Sequence, residues 1–313
     1  GEMYVNTRQE KMIRLADVAR KYYIEDKKQS DIAKELGVSR PLISRMLTEA
    51  KALGLVEITI HDPWQRSAVF LEKLQKRWQI QDAVLQEDLE DDRSTNIMLS
   101  ESTIGLLEKI GAKKIGIGWG HFIGQLVAWL EQHPQKDTGI QDIYPLLGNA
   151  GVPIRNYHSN ENVRILAENL SATPHFLYLP ALPESLEEKK LLCSTELYKQ
   201  FEKNWQEIDA ALVNIGNYPS TPDFASGVRY GNMLQKKGVC GRLLAYYFNE
   251  QGEIMDPSQD FAIQASLEAL QKCKAVIGLC SANTSVKALR GALETKLFTH
   301  IVARTELIRE VLQ

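Results

Sequence analysis

The chain has 313 residues, about twice a typical single-domain length, with 44% apolar and 25% charged residues. That balance excludes a disordered or fibrous chain, and no run approaches the roughly 20 continuous apolar residues that a membrane-spanning helix needs. Net charge is −3, but residues 1–60 hold 11 Lys/Arg against 9 Asp/Glu, a net of +2, which leaves −5 for residues 61–313. A small basic head on an acidic body permits DNA contact through one module. The polar stretch 1–11 lacks the apolar centre of a secretory signal, so a cytoplasmic protein with no membrane partner is expected. Cys193, Cys240, Cys273 and Cys280 are scattered with no C-x-x-C pair, which points to reduced structural thiols, with no metal and no cofactor.

In the head, Ile13, Leu15, Val18, Ala19, Tyr22 and Tyr23 recur at helical spacing. Ser30 is placed to cap a second helix, Asp31 to Leu36, and Gly37 supplies a left-handed turn. Ser39 is placed to cap a third helix, with Pro41 in its first turn and Gly54 beyond its end. Val56 to Ile60 alternates apolar and polar residues and predicts a short half-buried strand. His61-Asp62-Pro63 marks the boundary between a DNA-binding domain, 1–60, and an effector-binding and oligomerisation domain, 61–313. Beyond it, Val69, Leu71, Leu74 and Trp78 suggest a linking helix, and Glu87 to Arg93 an acidic loop. Apolar runs then alternate with helical stretches. The runs are Ile115–Gly118, Ile143–Leu147, Phe176–Leu179, Ala211–Gly216, Leu243–Phe248, Val276–Cys280 and His300–Ala303. The helical stretches include Ile123–Leu130 and Phe261–Leu270. Such alternation predicts an α/β body, a doubly wound, mostly parallel sheet with helices on both faces.

The segment Gln29 to Thr48 carries most of the functional signal. Ile32, Ala33 and Leu36 give one helix an apolar face, and Val38, Ile43, Leu47 and Ala50 give the next a matching one. The opposite face of the third helix displays Arg40, Ser44, Arg45, Thr48 and Lys51, donors suited to base edges and phosphates in a major groove. A helical hairpin with a solvated polar face is the plainer alternative. The Gly turn, the Ser-Arg-Pro start and the dense basic face favour DNA, with Gln29, Ser30, Ser39, Arg40, Pro41, Ser44, Arg45 and Thr48 as candidate contacts.

Through Ala19-Arg20-Lys21-Tyr22-Tyr23, Gln29-Ser30-Asp31-Ile32-Ala33 and Val38-Ser39-Arg40-Pro41-Leu42-Ile43-Ser44-Arg45, the head resembles that of the SorC family of bacterial sugar-responsive transcription regulators. The resemblance implies a helix-turn-helix (winged-helix-like) head followed by a Rossmann-like effector domain related in fold to sugar-phosphate isomerases and deaminases. It implies operator DNA, a small sugar or sugar-phosphate effector and a homo-oligomer, dimer or tetramer, as partners.

In a doubly wound sheet, ligands bind beyond the carboxyl ends of the strands. Gly118-Trp119-Gly120-His121-Phe122 ends a strand and opens a helix, where backbone amides suit an anion, although a plain tight turn reads the same way. Gly118-Trp119-Gly120 matches the family's G-W-G effector loop. The family's usual Thr after that loop is Phe122 here. Its G-D-I-x-G-x-F-F-D stretch appears as Gly241 to Asn249, with Arg242 and Asn249 in place of two acidic residues. A late family lysine aligns with Ser285, with Lys287 nearby, and Leu147 stands where some relatives carry a lysine. These departures predict an unusual or non-phosphorylated effector. Gly148, Asn149, Gly216 and Asn217 lie at other strand ends and are further candidates, with ordinary turn chemistry the alternative, above all for Asn149. Arg242 is either a new anion contact or a solvent-facing arginine. The rival class is a sugar-phosphate isomerase- or deaminase-like enzyme. Against it, the six histidines form no H-x-x-H or H-x-x-x-H pair, and no G-x-S-x-G elbow or P-loop lysine is present. No catalytic residue is assigned.

Overall fold

The computed structural model describes residues 7–60, 62–257 and 259–313; the first six residues, His61 of the expected boundary, and Ser258 lie outside them. The chain forms two compact units, residues up to Pro63 and Trp64–Gln313.

The first unit is three helices, α1 (Thr7–Tyr23), α2 (Gln29–Leu36) and α3 (Arg40–Ala52). Leu15, Val18, Ile32, Ala33, Ile43, Leu47 and Ala50 form its buried core. Gly37 ends α2 in the left-handed conformation, φ 64°, and the Val38 amide turns back to the Ala33 carbonyl. Two expectations at the helix starts fail. Helix α2 begins at Gln29, behind an extended Lys28, so Ser30 lies inside the first turn and caps nothing. Ser39 stands at the N-cap of α3, but its side chain makes no capping bond. Pro41 has no N–H, so one fewer donor there needs a partner.

The predicted strand at Val56–Ile60 is absent. These residues form no strand, and Ile58 and Ile60 are 55% and 81% exposed. Alternation alone does not make a strand without a neighbour to pair with, and none is present among the described residues of this unit. The winged element expected of the head is therefore missing from the described residues.

The second unit holds all but the first residue of helix α4 (Pro63–Trp78), which buries Phe70, Leu74 and Trp78, while Val69 faces outward. Its strands are β1 (Asp82–Gln86), β2 (Lys114–Ile117), β3 (Asp142–Pro145), β4 (Thr173–Pro174), β5 (Ala210–Asn214), β6 (Gly216–Asn217), β7 (Val239–Leu243), β8 (Tyr246–Asn249), β9 (Ala275–Leu279) and β10 (His300–Arg304). Seven form a wholly parallel sheet in the order β1-β10-β9-β5-β2-β3-β4. Helices α5 (Asp92–Ile110), α6 (His121–Gln132) and α7 (Ser159–Leu170) cover one face. Chain order then gives α8 (Leu186–Cys193), α9 (Glu196–Trp205), the short α10 (Ser226–Tyr230) and α11 (Met233–Lys236), α12 (Leu267–Lys272), α13 (Val286–Glu294) and α14 (Thr305–Leu312). Of these, α9, α12, α13 and α14 join α4 on the other face. Strand β5 shows why both faces close: Ala210 and Leu212 enter one core, Ala211 and Val213 the other. Gly116 of β2 is required by packing, since a Cβ there would stand 2.5 Å from Leu146 Cδ2.

Three body expectations are corrected. Leu243–Phe248 is not one strand of the parallel sheet but parts of β7 and β8, which with β6 make a separate antiparallel sheet. The turn between them uses Leu244 at φ 49°. Phe261–Ala265 is extended rather than helical, because its backbone bonds to Leu146, Gly148 and Ala181; the helix starts at Leu267. Phe176–Leu179 is non-helical but contributes no strand, the edge being β4, three residues earlier. All four cysteines are free thiols, and burial pushes Cys240 and Cys273 up to about 11. No helix among the described residues is long and apolar enough to cross a membrane.

Candidate functional site

On the head, every predicted DNA contact except the half-buried Gln29 is exposed: Ser30, Ser39, Arg40, Pro41, Ser44, Arg45 and Thr48. The Thr48 hydroxyl donates to the Ser44 carbonyl at 3.1 Å, one turn back along α3. Charge pairing divides the unit. Lys11 pairs with Glu49, Arg20 with Asp17, and Lys21 and Lys27 with Glu35. Arg40 and Arg45 have no carboxylate within ion-pair distance among the described residues. The charges at the start and middle of α3 thus face solvent uncompensated, the arrangement a polyanion requires.

In the body, strand order reverses direction between β2 and β5. The chain runs outward from β2 to β3 and β4, then returns to lay β5 on the other side of β2 and continues to β9 and β10. Loops leaving the carboxyl ends on either side of that point diverge and leave a crevice. A cavity of about 440 Å³ occupies it. Trp119, Gly120 and His121 line it beyond β2; Gly216, Asn217 and Arg242 line it from the antiparallel sheet.

Its construction begins at Gly120, where φ is 128° and a Cβ would lie 2.7 Å from Asn214 Cγ. That contact lets Asn214, at the end of β5, cap the helix that follows β2: its Oδ1 accepts the Phe122 amide at 2.8 Å. The Gly120 amide donates to the Asn156 carbonyl. Asn217 performs a similar task, accepting the Ser285 amide at 2.8 Å and donating to the Asn283 carbonyl at 2.9 Å. Ser285, where the family has a lysine, caps α13 by accepting the Ala288 amide.

The floor is aromatic. The Trp119 indole stacks on Phe224 with centroids 4.5 Å apart, meets Tyr157 edge-on, and donates to the Leu244 carbonyl. Arg242 lies over the Phe224 ring at 4.6 Å. It is only 7% exposed, which removes the solvent-facing alternative. Its guanidinium donates to the Pro222 carbonyl at 2.9 Å and the Tyr157 hydroxyl at 3.3 Å, and no carboxylate lies within ion-pair distance among the described residues. Burial raises the Tyr247 phenol pKa, with the nearby Arg242 charge pulling it back down.

Five sequence candidates stand outside the lining. Gly118 packs behind the loop, where a Cβ would meet Leu244 at 2.8 Å. Phe122 is buried in the core of the α5–α7 face. Gly148 is pressed against the Pro180 backbone, and a Cβ there would lie 2.4 Å from it. The Asn149 side chain ties the Leu177 and Leu179 carbonyls to the Asn160 amide, and the residue borders a separate cavity of about 350 Å³. Asn249 organises a turn by accepting the Gln251 and Glu253 amides. The chain segments that sequence reasoning missed are Ile154–Tyr157, Ser220–Thr221 and Ser281–Asn283. They come from loops distant in sequence, and only the strand order brings them together. No group of three or more His, Cys, Asp or Glu able to hold a metal occurs among the described residues.

Residues 63–313 match a family described as "Putative sugar-binding domain". The chain is similar to the sorbitol operon regulator of Klebsiella pneumoniae, 24% identical over 310 residues, 93% of this chain and 95% of that one. It is also 24% identical over 290 residues to the deoxyribonucleoside regulator of Bacillus subtilis (strain 168), covering 90% of this chain and 91% of the other. The crystal structure of full-length SorC from Klebsiella pneumoniae superposes with a TM-score of 0.68 at 23% identity, over 96% of this chain and 99% of the other, which establishes the shared fold. With most of its length matched by that domain and nine-tenths or more of it aligned with such regulators, the chain belongs to the SorC family of transcription regulators.

Proposed function

We propose that this protein is a cytoplasmic DNA-binding regulator of a carbohydrate-related operon, with residues 1–60 reading operator DNA and residues 61–313 receiving a small sugar-derived effector. The observation that carries the reading is the placement of charge on the head: Arg40 and Arg45 are left uncompensated on one exposed helix face, while Lys11, Arg20, Lys21 and Lys27 are each paired with a carboxylate. The cavity at the strand-order reversal supplies a place for the effector. A single helix-turn-helix reads few base pairs, so a dimer or tetramer binding repeated half-sites accompanies the proposal. Turnover of the effector is the less favoured alternative, since aldose–ketose chemistry needs a positioned acid and base. His121 is the one imidazole among the lining residues, and no carboxylate stands beside it in the lining to complete an acid–base pair.

The test uses the full-length protein and operator fragments selected from a random DNA pool. Effector binding shifts operator affinity only through differential affinity for two arrangements, roughly 1–3 kcal/mol in typical cases. Unchanged DNA affinity in both Arg40→Ala and Arg45→Ala proteins would overturn the head assignment. Sedimentation showing a 35.4 kDa monomer with and without DNA would overturn the oligomer. Conversion of a bound sugar phosphate to product would replace the regulator by the enzyme.

A further inference from the structure

We propose that the effector is an anion whose charged group meets Arg242 rather than the amides at the start of α6. This rests on the effector-cavity reading above and adds the chemical class of the ligand and the residue that selects it.

Three observations carry it. Arg242 is buried yet faces the cavity, with no carboxylate within ion-pair distance among the described residues; the Pro222 carbonyl and the Tyr157 and Tyr247 hydroxyls, all neutral, are its partners. None of the residues lining the cavity is acidic. A buried guanidinium held only by neutral acceptors leaves a desolvated charge that a ligand anion satisfies strongly. The helix start, by contrast, has already committed two amides internally, Gly120 to Asn156 and Phe122 to Asn214, so it has less to offer an anion than its glycine-rich sequence suggests. The guanidinium is also pre-positioned: the Phe224 face and the Pro222 carbonyl fix the plane of the fork before any ligand arrives. A carboxylate or a phosphate presents two oxygens that accept the hydrogen bonds such a fork donates.

The test is calorimetric titration of the full-length protein, its Arg242→Gln and Arg242→Lys variants, and Gly120→Asp. The probes are aldonates and uronates, hexose phosphates, inorganic phosphate and the uncharged parent sugars. The expected result is that a carbohydrate anion binds and its uncharged parent is weaker by about tenfold or more. R242Q should erase that difference, and R242K should restore part of it. Whether acids or phosphates bind distinguishes the two sources of charge. Uncharged sugars binding wild type and R242Q as tightly as their anionic forms overturns the role of Arg242 while leaving the cavity reading intact. Anion binding that survives both R242Q and G120D places the ligand elsewhere and removes both. Inorganic phosphate binding as tightly as every carbohydrate anion marks an adventitious ion only, and failure of every probe to bind overturns the inference.

Discussion

The two units use arginine in opposite ways. Arg40 and Arg45 stand exposed on α3, with no ion-pair partner among the described residues, whereas Arg242 is buried, stacked on an aromatic ring and clamped by a carbonyl. An exposed guanidinium keeps its rotamer freedom and adapts to a groove, with a strength that salt screens. A fixed, desolvated one has less freedom to lose on binding and discriminates by geometry. On the proposed reading a polyanion meets the first kind and a small molecule the second, so the division of the chain into two compact units would also be a division between adaptable and rigid recognition.

The largest effects should come from the two cores. Ile43→Ala empties the centre of a small head core and should cost about 2–5 kcal/mol, abolishing operator binding while the body stays folded. Trp119→Ala should cost the body about 3–5 kcal/mol by removing the stacked floor, with the head still able to fold. All five tryptophans lie beyond residue 63, so urea unfolding followed by their fluorescence reports the body alone. A shared loss in both variants would break the separation of the units.

Next in size is Arg45→Ala, expected to weaken operator binding by about 1–3 kcal/mol if the side chain reads a base edge, with relaxed sequence preference. If it touches phosphate, all sequences weaken alike and the salt slope falls by about 1. Titration at several salt concentrations separates these outcomes, and body stability should not change.

Asn214→Ala removes the cap on α6 and should lower body stability by about 1 kcal/mol. Urea midpoints with and without effector would reveal whether that helix start also supports the ligand.

The smallest effect concerns His300, whose pKa is lowered chiefly by burial, with Lys109 adding to the shift and Asp82 opposing it. Because the folded value lies below the unfolded one, the neutral ring contributes stability that is full above the ordinary histidine value near 6.5 and is lost as pH falls through the folded value. His300→Gln should flatten the decline of body stability below pH 6.5 in urea titrations across pH. An unchanged slope would show that another group governs it.

Legibility followed the range of the interactions. The helix-turn-helix was readable because its period, Gly37 and Pro41 act within a few residues. The parallel strands with continuous apolar runs, such as β5 and β9, were readable for the same reason. The turn splitting Leu243–Phe248 was not, since Leu244 adopts a left-handed conformation without the glycine that usually signals one. Strand β1 left no mark beyond five half-buried residues, and Phe261–Ala265 has helical spacing that its tertiary backbone pairing overrides. At the cavity, the glycine loop was visible, but the partners at Asn156, Tyr157 and Asn283 arrive only through strand order. The polar positions that bind their own backbone, Asn149 and Asn249, read in sequence like those that face a ligand.

The asparagines at the strand-order reversal carry an evolutionary consequence. An aspartate caps a helix as well as an asparagine does, and complements the helix dipole better. At Asn214 either residue would accept the Phe122 amide, yet aspartate would bring a permanent negative charge to the lining that Arg242 shares. Asparagine and aspartate codons differ by one nucleotide. A single mutational step at this position would therefore preserve the fold's capping bond while giving Arg242 a resident counter-charge, turning preference away from anions. If Arg242 selects an anion as proposed, descendants of this sequence stand one base change from a different class of effector.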